Sequence, residues 1–276
     1  MPEINHFIFN CVQSFLLGVI QGVTEFLPIS STAHLKVVPY FLGWNDPGTS
    51  ISASLQLGGA LALIFYFHNE ISVLINSFFS ICVHRQFFKD ENTKLVTYIC
   101  VASIPIIIIG MIIKLFWPGY ADSNLRGLFS IAIISIVMSF LLALSEIYGQ
   151  KKKLLNDIKL RDIIILGISQ TLAIIPGVSR SGVTLTSALF SGIERSTAAR
   201  LSFLIGIPAI SISGLVELFT LSRSSSAIDI LPIIIGIISS FFSSIIAIDL
   251  LLKFLTRNSC PSTEASTGMD MCIFLI

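Results

Sequence analysis

Charge is what this 276-residue chain has little of: Asp, Glu, Lys and Arg make up 12% of it against 54% hydrophobic residues, and the mean hydropathy is +0.88. A soluble domain carries charge on roughly a quarter of its residues, so the composition points to an integral membrane protein. The formal net charge of +1 makes no case for nucleic acid as a partner. Strict alternation of polar and apolar residues is also missing, which argues against an outer-membrane barrel and for a helical bundle in the lipid bilayer. The five cysteines (Cys11, Cys82, Cys100, Cys260 and Cys272) are scattered without metal-ligand spacing and read as small apolar residues. No polar stretch is long enough for a separate soluble domain, so 1–276 reads as one membrane domain. The amino-terminal apolar segment has almost no positive charge before it and no small-residue cleavage signature. It reads as retained structure and not as a signal peptide.

Apolar runs long enough to cross a bilayer, about 18 residues or more, recur at Leu95 to Phe116, Leu125 to Tyr148, Ala198 to Leu221 and Ile228 to Leu255. Lys and Arg concentrate in His84 to Lys94 and in Lys151 to Arg161, whereas Trp117 to Asn124 contains neither. Positive charge marks the cytoplasmic side, so the two basic loops are expected there and the third loop outside, consistent with one span on each side of it.

Two segments carry polar and charged residues where lipid burial should forbid them: Gln21-Gly-Val-Thr-Glu-Phe-Leu-Pro-Ile-Ser-Ser-Thr-Ala-His34 and Pro176-Gly-Val-Ser-Arg-Ser-Gly-Val-Thr184. A charged side chain at the centre of a spanning helix costs about 2.5–3.5 kcal/mol even on insertion scales, so Glu25, His34 and Arg180 need partners, water or a ligand. The two segments also resemble each other. Leu17-Gly-Val-Ile-Gln21 matches Leu166-Gly-Ile-Ser-Gln170, a Pro and a Ser-rich turn follow each, and Leu57-Gly-Gly-Ala60 falls opposite Ile205-Gly-Ile-Pro208, at an offset close to 149 residues. Pro28 and Pro176 interrupt runs that read as too short on either side to span. The expected fold is therefore an all-α polytopic membrane protein, a helical bundle with two inverted-type repeats and re-entrant broken helices. Repeat one covers about 7–84 and repeat two about 160–221. Connecting spans fill 95–148, and an atypical tail occupies 258–276.

On a helix Gln21 and Glu25 share a face, where an amide oxygen and a carboxylate can converge on a hard divalent cation or on water. Ser30, Ser31 and Thr32 offer hydroxyls, and the imidazole of His34 suits proton transfer. A plainer alternative pairs Glu25 with His34 inside the bundle and leaves the hydroxyls to the backbone. The second segment reads as an anion cradle: Gly177 and Gly182 permit close approach, Ser179, Ser181 and Thr184 offer hydroxyls, and a helix starting near Ser181 aims free amides at a phosphate. Arg180 adds a planar fork for phosphate oxygens. An ion pair from Arg180 to Glu25, locking the repeats together, is the competing reading, and the two can coexist.

These motifs, Gln-Gly-x-Thr-Glu-Phe-Leu-Pro-x-Ser-Ser-Thr followed by His, and Pro-Gly-x-Ser-Arg-Ser-x-x-Thr, resemble the signatures of the bacterial undecaprenyl-diphosphate phosphatases of the bacitracin-resistance type, from about Phe15 to Arg257. The resemblance implies a multi-pass enzyme of the bacterial inner membrane with its site facing the periplasm. Its reaction would be hydrolysis of undecaprenyl diphosphate to undecaprenyl phosphate and inorganic phosphate, which recycles the lipid carrier for peptidoglycan. It further implies Mg²⁺ or Ca²⁺ as cofactor, and resistance to bacitracin through removal of the diphosphate that the antibiotic sequesters. By the motif match, Glu25, Ser31, His34 and Arg180 are the catalytic candidates, and Gln21 with Glu25 the metal ligands. Ser30, Thr32, Ser179, Arg180, Ser181 and Thr184 are the phosphate-binding candidates. Ser31 would attack the terminal phosphorus, or serve as a ligand while water attacks directly. A polyprenyl-phosphate flippase or transporter using the same repeats is the alternative, though it needs no nucleophile. Prenyl chain length and oligomeric state are not legible, a homodimer being among the options.

Three positions depart from the family's pattern. Gln21 brings one negative charge fewer than the two-Glu form, which should weaken cation binding. Ala33 stands where Gly is usual, which stiffens the turn before His34. After Arg257, only Cys272 to Ile276 is continuously apolar, far too short for the last spanning helix expected there. A frameshift or truncation would account for it, and the motifs lie upstream.

Overall fold

A computed structural model describes residues 2–44, 48–117, 119–120, 123–223 and 230–257. The tail at 258–276 and Ile228, the expected start of the last span, lie outside the described residues. The elements are α1 (Pro2–Phe26), α2 (Ser31–Phe41), α3 (Gly48–Tyr66), α4 (His68–His84), α5 (Glu91–Phe116), α6 (Leu128–Tyr148), α7 (Leu160–Gln170), α8 (Arg180–Phe190), α9 (Arg195–Arg223) and α10 (Ile230–Arg257). Among the described residues there is no strand, only an isolated bridge between Lys153 and Ile193.

Among the described residues five helices are long and apolar enough to cross a membrane, or six spans if a bent pair is taken as one, as the composition requires of a polytopic protein. Four of them, α5, α6, α9 and α10, fall on the apolar runs read from the sequence. The fifth, Phe7–Phe26 of α1, corrects the expectation of short arms around Pro28. That helix continues through Gln21 and Glu25 because their side chains bond to each other one turn apart, Gln21 Nε2 donating to Glu25 Oε2 at 2.8 Å, while Thr24 Oγ1 donates back to the Ile20 carbonyl. Helices α2, α7 and α8, at 11 residues each and about 16 Å long by the helical rise, are far too short, and α3 and α4 reach a span's length only as a bent pair. A further break separates α3 from α4, which meet at Phe67 with an 87° bend. There the polar run His68-Asn69-Glu70 turns the chain aside, and Glu70 pairs with Arg200 of α9 at 2.8 Å.

Two broken hairpins enter the bundle from opposite ends. The chain on either side of α7–α8 meets itself, with the Lys152 and Lys153 amides donating to the Gly192 carbonyl and the Glu194 amide to the Lys153 carbonyl, all at 2.9 Å. Lys94 Nζ donates to the Asn156 carbonyl, so both basic loops lie at this same end. From there the hairpin reaches far across the bundle. Tyr120, in the loop after α5, donates its hydroxyl to the Ile174 carbonyl, and Ser135 of α6 bonds the Gly177 carbonyl. The α1–α2 hairpin runs the other way. Its ends meet at the edge-on contact of Phe9 with Trp44, 5.9 Å between ring centroids, and Lys36 of α2 donates to the Arg126 carbonyl beside α6.

Packing between α1 and α10 fixes the first hairpin's depth. A Cβ on Gly18 would sit 2.2 Å from the Gly236 carbonyl oxygen and one on Gly22 2.4 Å from that of Ser240, so the two backbones touch. In lipid such close approach supplies the van der Waals contact that the hydrophobic effect does not. Ser239 of α10 adds a bond to the Phe15 carbonyl at 3.0 Å. At the basic end Glu146 of α6 is buried and paired with Arg195 of α9 at 2.8 Å and Lys151 at 3.2 Å, closing the open side of the second hairpin.

Candidate active site

The turns after Pro28 and Pro176 each end in a serine that caps the next helix. Ser30 caps α2 by accepting from the Ala33 amide, and Ser179, 149 positions later, caps α8 by accepting from the Gly182 amide. Ser30 does so at φ 63°, in the left-handed region a non-glycine residue occupies at a cost of order 1–3 kcal/mol. The strain falls on the residue before Ser31. The two hairpin tips lie against each other: a Cβ on Gly182 would come 3.2 Å from the Pro28 Cβ, and Ser181 Oγ donates to the Glu25 carbonyl at 3.0 Å, satisfying an orphan at the end of α1.

Glu25 is the centre. Its Oε2 accepts from Gln21 Nε2 and from Ser31 Oγ, both at 2.8 Å, and its Oε1 accepts from Arg180 Nη2 at 3.0 Å. The carboxylate thus joins a buried amide, a hydroxyl and a guanidinium from both repeats. Two polar atoms beside it are buried with no partner, Gln21 Oε1 and Arg180 Nη1. Such atoms are costly in a dry interior and mark where a ligand's polar groups would be gained.

His34 is not joined to Glu25 by a hydrogen bond. Its Nδ1 lies 2.9 Å from the Ser30 carbonyl oxygen, one turn back. A carbonyl only accepts, so Nδ1 donates in this contact and Nε2 is the ring nitrogen left for other partners. The plainer reading, in which His34 and Glu25 pair, is therefore set aside, and the expected ion pair between Glu25 and Arg180 is present.

The other candidates sit further out. Among the described residues Thr32, in the first turn of α2, makes no side-chain hydrogen bond, and it is half-buried. Thr184 is fully buried, bonded to the Arg180 carbonyl at 2.8 Å and in close contact with Ser202 Oγ, so it holds the backbone beneath Arg180 and does not face the centre. Ser179 and Ser181 bond each other at 3.1 Å and the α1 terminus. The close approaches permitted by the two glycines are to protein: a Cβ on Gly177, whose φ is +97°, would meet the Ile131 carbonyl of α6 at 2.9 Å, and Gly182 meets the Pro28 turn. The cradle expected of this segment is thus mostly internal scaffolding around one presented group, Arg180. Two residues escaped the reading of the motifs, Ser202 and Gly206 on α9. Their spacing of four on one helix face was the available signal. No group of three His, Cys, Asp or Glu that could hold a metal occurs among the described residues.

Comparison with known proteins places the chain in a family. Residues 14–262 match the family described as Bacitracin resistance protein BacA. The undecaprenyl-diphosphatase of Prochlorococcus marinus (strain NATL1A) is 71% identical over 260 residues, covering 94% of this chain and 93% of that protein. Its namesake in Prochlorococcus marinus (strain MIT 9303) is 50% identical over 249 residues, covering 90% and 85%. That of Synechococcus sp. (strain CC9311) is 48% identical over 249 residues, covering 90% and 88%. With the family match running through both hairpins and all four central residues, the chain belongs to the bacitracin resistance protein BacA family.

Proposed function

We propose that the chain is an undecaprenyl-diphosphatase, which hydrolyses undecaprenyl diphosphate to undecaprenyl phosphate and inorganic phosphate. The observation that carries this reading is the Glu25 carboxylate held between Ser31 Oγ and the Arg180 guanidinium. A base in contact with a hydroxyl makes a nucleophile, and a guanidinium beside it meets the charge of a phosphoryl group.

Ser31 Oγ attacks the terminal phosphorus while its proton passes to Glu25. The bond from that phosphorus to the bridging oxygen breaks, and undecaprenyl phosphate leaves. Water then attacks the phosphoserine, giving its proton to His34 Nε2; the P–Oγ bond breaks, Ser31 Oγ takes back the proton held by Glu25, and phosphate departs as His34 gives its proton up to solvent. Arg180 turns its unpaired Nη1 to the phosphoryl oxygens throughout. A divalent cation, Mg²⁺ or Ca²⁺, would be held by the hard oxygens of Glu25 and the unpartnered Gln21 Oε1. When bound, it neutralises charge on the diphosphate.

Positive-inside asymmetry supports a site open to the periplasmic side of the plasma membrane. The basic loops share one end, and the second hairpin's tip is tied by Tyr120 to the loop that has no Lys or Arg from Trp117 to Asn124. Removal of the diphosphate there denies bacitracin its target. The test of the covalent route is Ser31→Ala. Phosphate release should fall by on the order of 10⁶-fold, the scale on which loss of a serine nucleophile is felt. Substantial turnover by that variant would leave Ser31 a ligand and make water the attacking group.

A further inference from the structure

From the contact between α8 and α9 we infer that Gly206 is a positioning residue for the reaction: its missing side chain forms the slot in which the Arg180 guanidinium lies. This rests on the reading of Arg180 as the phosphate-binding group. A Cβ built on Gly206 would fall 1.6 Å from Arg180 Nη1 and 2.7 Å from Cζ, so any side chain there collides with the guanidinium itself. Nη1, the atom over the glycine, is also the one buried without a partner, while Nη2 is held by Glu25. The fork is therefore fixed on two sides, by the carboxylate along one edge and by the bare α9 backbone against Nη1 and Cζ. What it has left to offer is the Nη1 donors.

Glycine in the interior of a helix is unfavourable relative to alanine, so α9 carries a local cost at this position. The corresponding glycine of the first repeat, Gly58, serves a different end. A Cβ there would meet the Ile237 carbonyl of α10 at 2.3 Å, a plain helix-packing contact. At the repeat-equivalent place in α9 the vacated volume is filled by the arginine instead. Below it Thr184 bonds the Arg180 carbonyl and touches Ser202, one turn before Gly206, so the same face of α9 supports both the backbone and the head of this arginine.

The test is a double-mutant cycle on kcat/KM for phosphate release from a polyprenyl diphosphate, using wild type, Gly206→Ala, Arg180→Ala and the double variant, each checked for thermal unfolding. Displacing a bound group by about 1 Å costs on the order of 10²-fold, and this is the loss expected for Gly206→Ala when Arg180 is present. In the Arg180→Ala background the same substitution should cost less than about threefold, because the colliding group is gone. Guanidinium added to Arg180→Ala should recover part of the activity, and none in the double variant, where the slot is narrowed. Equal losses in both backgrounds would overturn the slot and make Gly206 a general packing position. A Gly206→Ala enzyme with full activity would overturn it too, while leaving the phosphatase reading intact. Full activity in Arg180→Ala would instead remove the premise about Arg180.

Discussion

Replacing Glu25 by Gln keeps the side chain's shape and removes its charge. The carboxylate it replaces pairs with Arg180 at 3.0 Å, at side-chain exposures of 7% and 11%, so the screening that holds surface pairs below about 1 kcal/mol does not operate. Breaking one side of a buried pair leaves the other charge uncompensated, at a cost of about 3–5 kcal/mol. Arg180 has no second acceptor in reserve, since its Nη1 is unpartnered. Glu25→Gln combined with Arg180→Met removes both charges, and exchanges of that kind are often neutral or stabilising. Thermal unfolding of the detergent-solubilised variants should therefore show the single variant about 3–5 kcal/mol less stable and the double variant regaining most of the loss. Phosphate release should be lost in both, by about 10²–10⁴-fold for the missing base alone. A Glu25→Gln protein that unfolds like the wild type, or a double variant less stable than the single, would refute the reasoning.

Gln21→Glu adds the charge that this chain lacks beside Glu25, and the concentration of Mg²⁺ giving half-maximal activity should fall on the order of tenfold in a cation titration. Tyr120→Phe removes the bond to the Ile174 carbonyl and should cost about 1 kcal/mol in thermal unfolding. Burial holds the Tyr120 phenol above its ordinary pKa, against a smaller opposing effect from Arg126. Its contribution is therefore complete below about pH 10 and is lost as pH rises through the raised value, and the variant should lack that alkaline loss in unfolding measured against pH. Gly22→Ala drives a Cβ to 2.4 Å from the Ser240 carbonyl, and overpacking of α1 on α10 should destabilise by about 1–3 kcal/mol, read by thermal unfolding.

The spans were legible because lipid solvation writes them as unbroken apolar runs, and Leu95 to Phe116 and Leu125 to Tyr148 became α5 and α6 within a few residues. The second hairpin was legible from Pro176, which leaves arms too short to cross. Pro28 misled on length alone, because the polar Gln21 and Glu25 mask how far back the run before it reaches, Phe7–Phe26 being long enough to cross. The bend at Phe67 depends on a distant partner, Arg200. At the site, residue types were readable and directions were not. Ser31, Glu25 and Arg180 converge as their chemistry suggested, yet Ser179, Ser181 and Thr184 spend their hydroxyls on the chain's own backbone. Gly206 showed in the sequence only as a repeat match and as a spacing of four from Ser202, since what marks it is a close approach to a side chain 26 positions earlier.

Phosphate release from a polyprenyl diphosphate by the purified, detergent-solubilised protein tests the central claim most directly, run with Mg²⁺ or Ca²⁺ beside an EDTA control and Arg180→Ala. Release should require the cation and be lost in the variant. Well-folded protein that releases no phosphate, or an Arg180→Ala enzyme as active as the wild type, would contradict that claim.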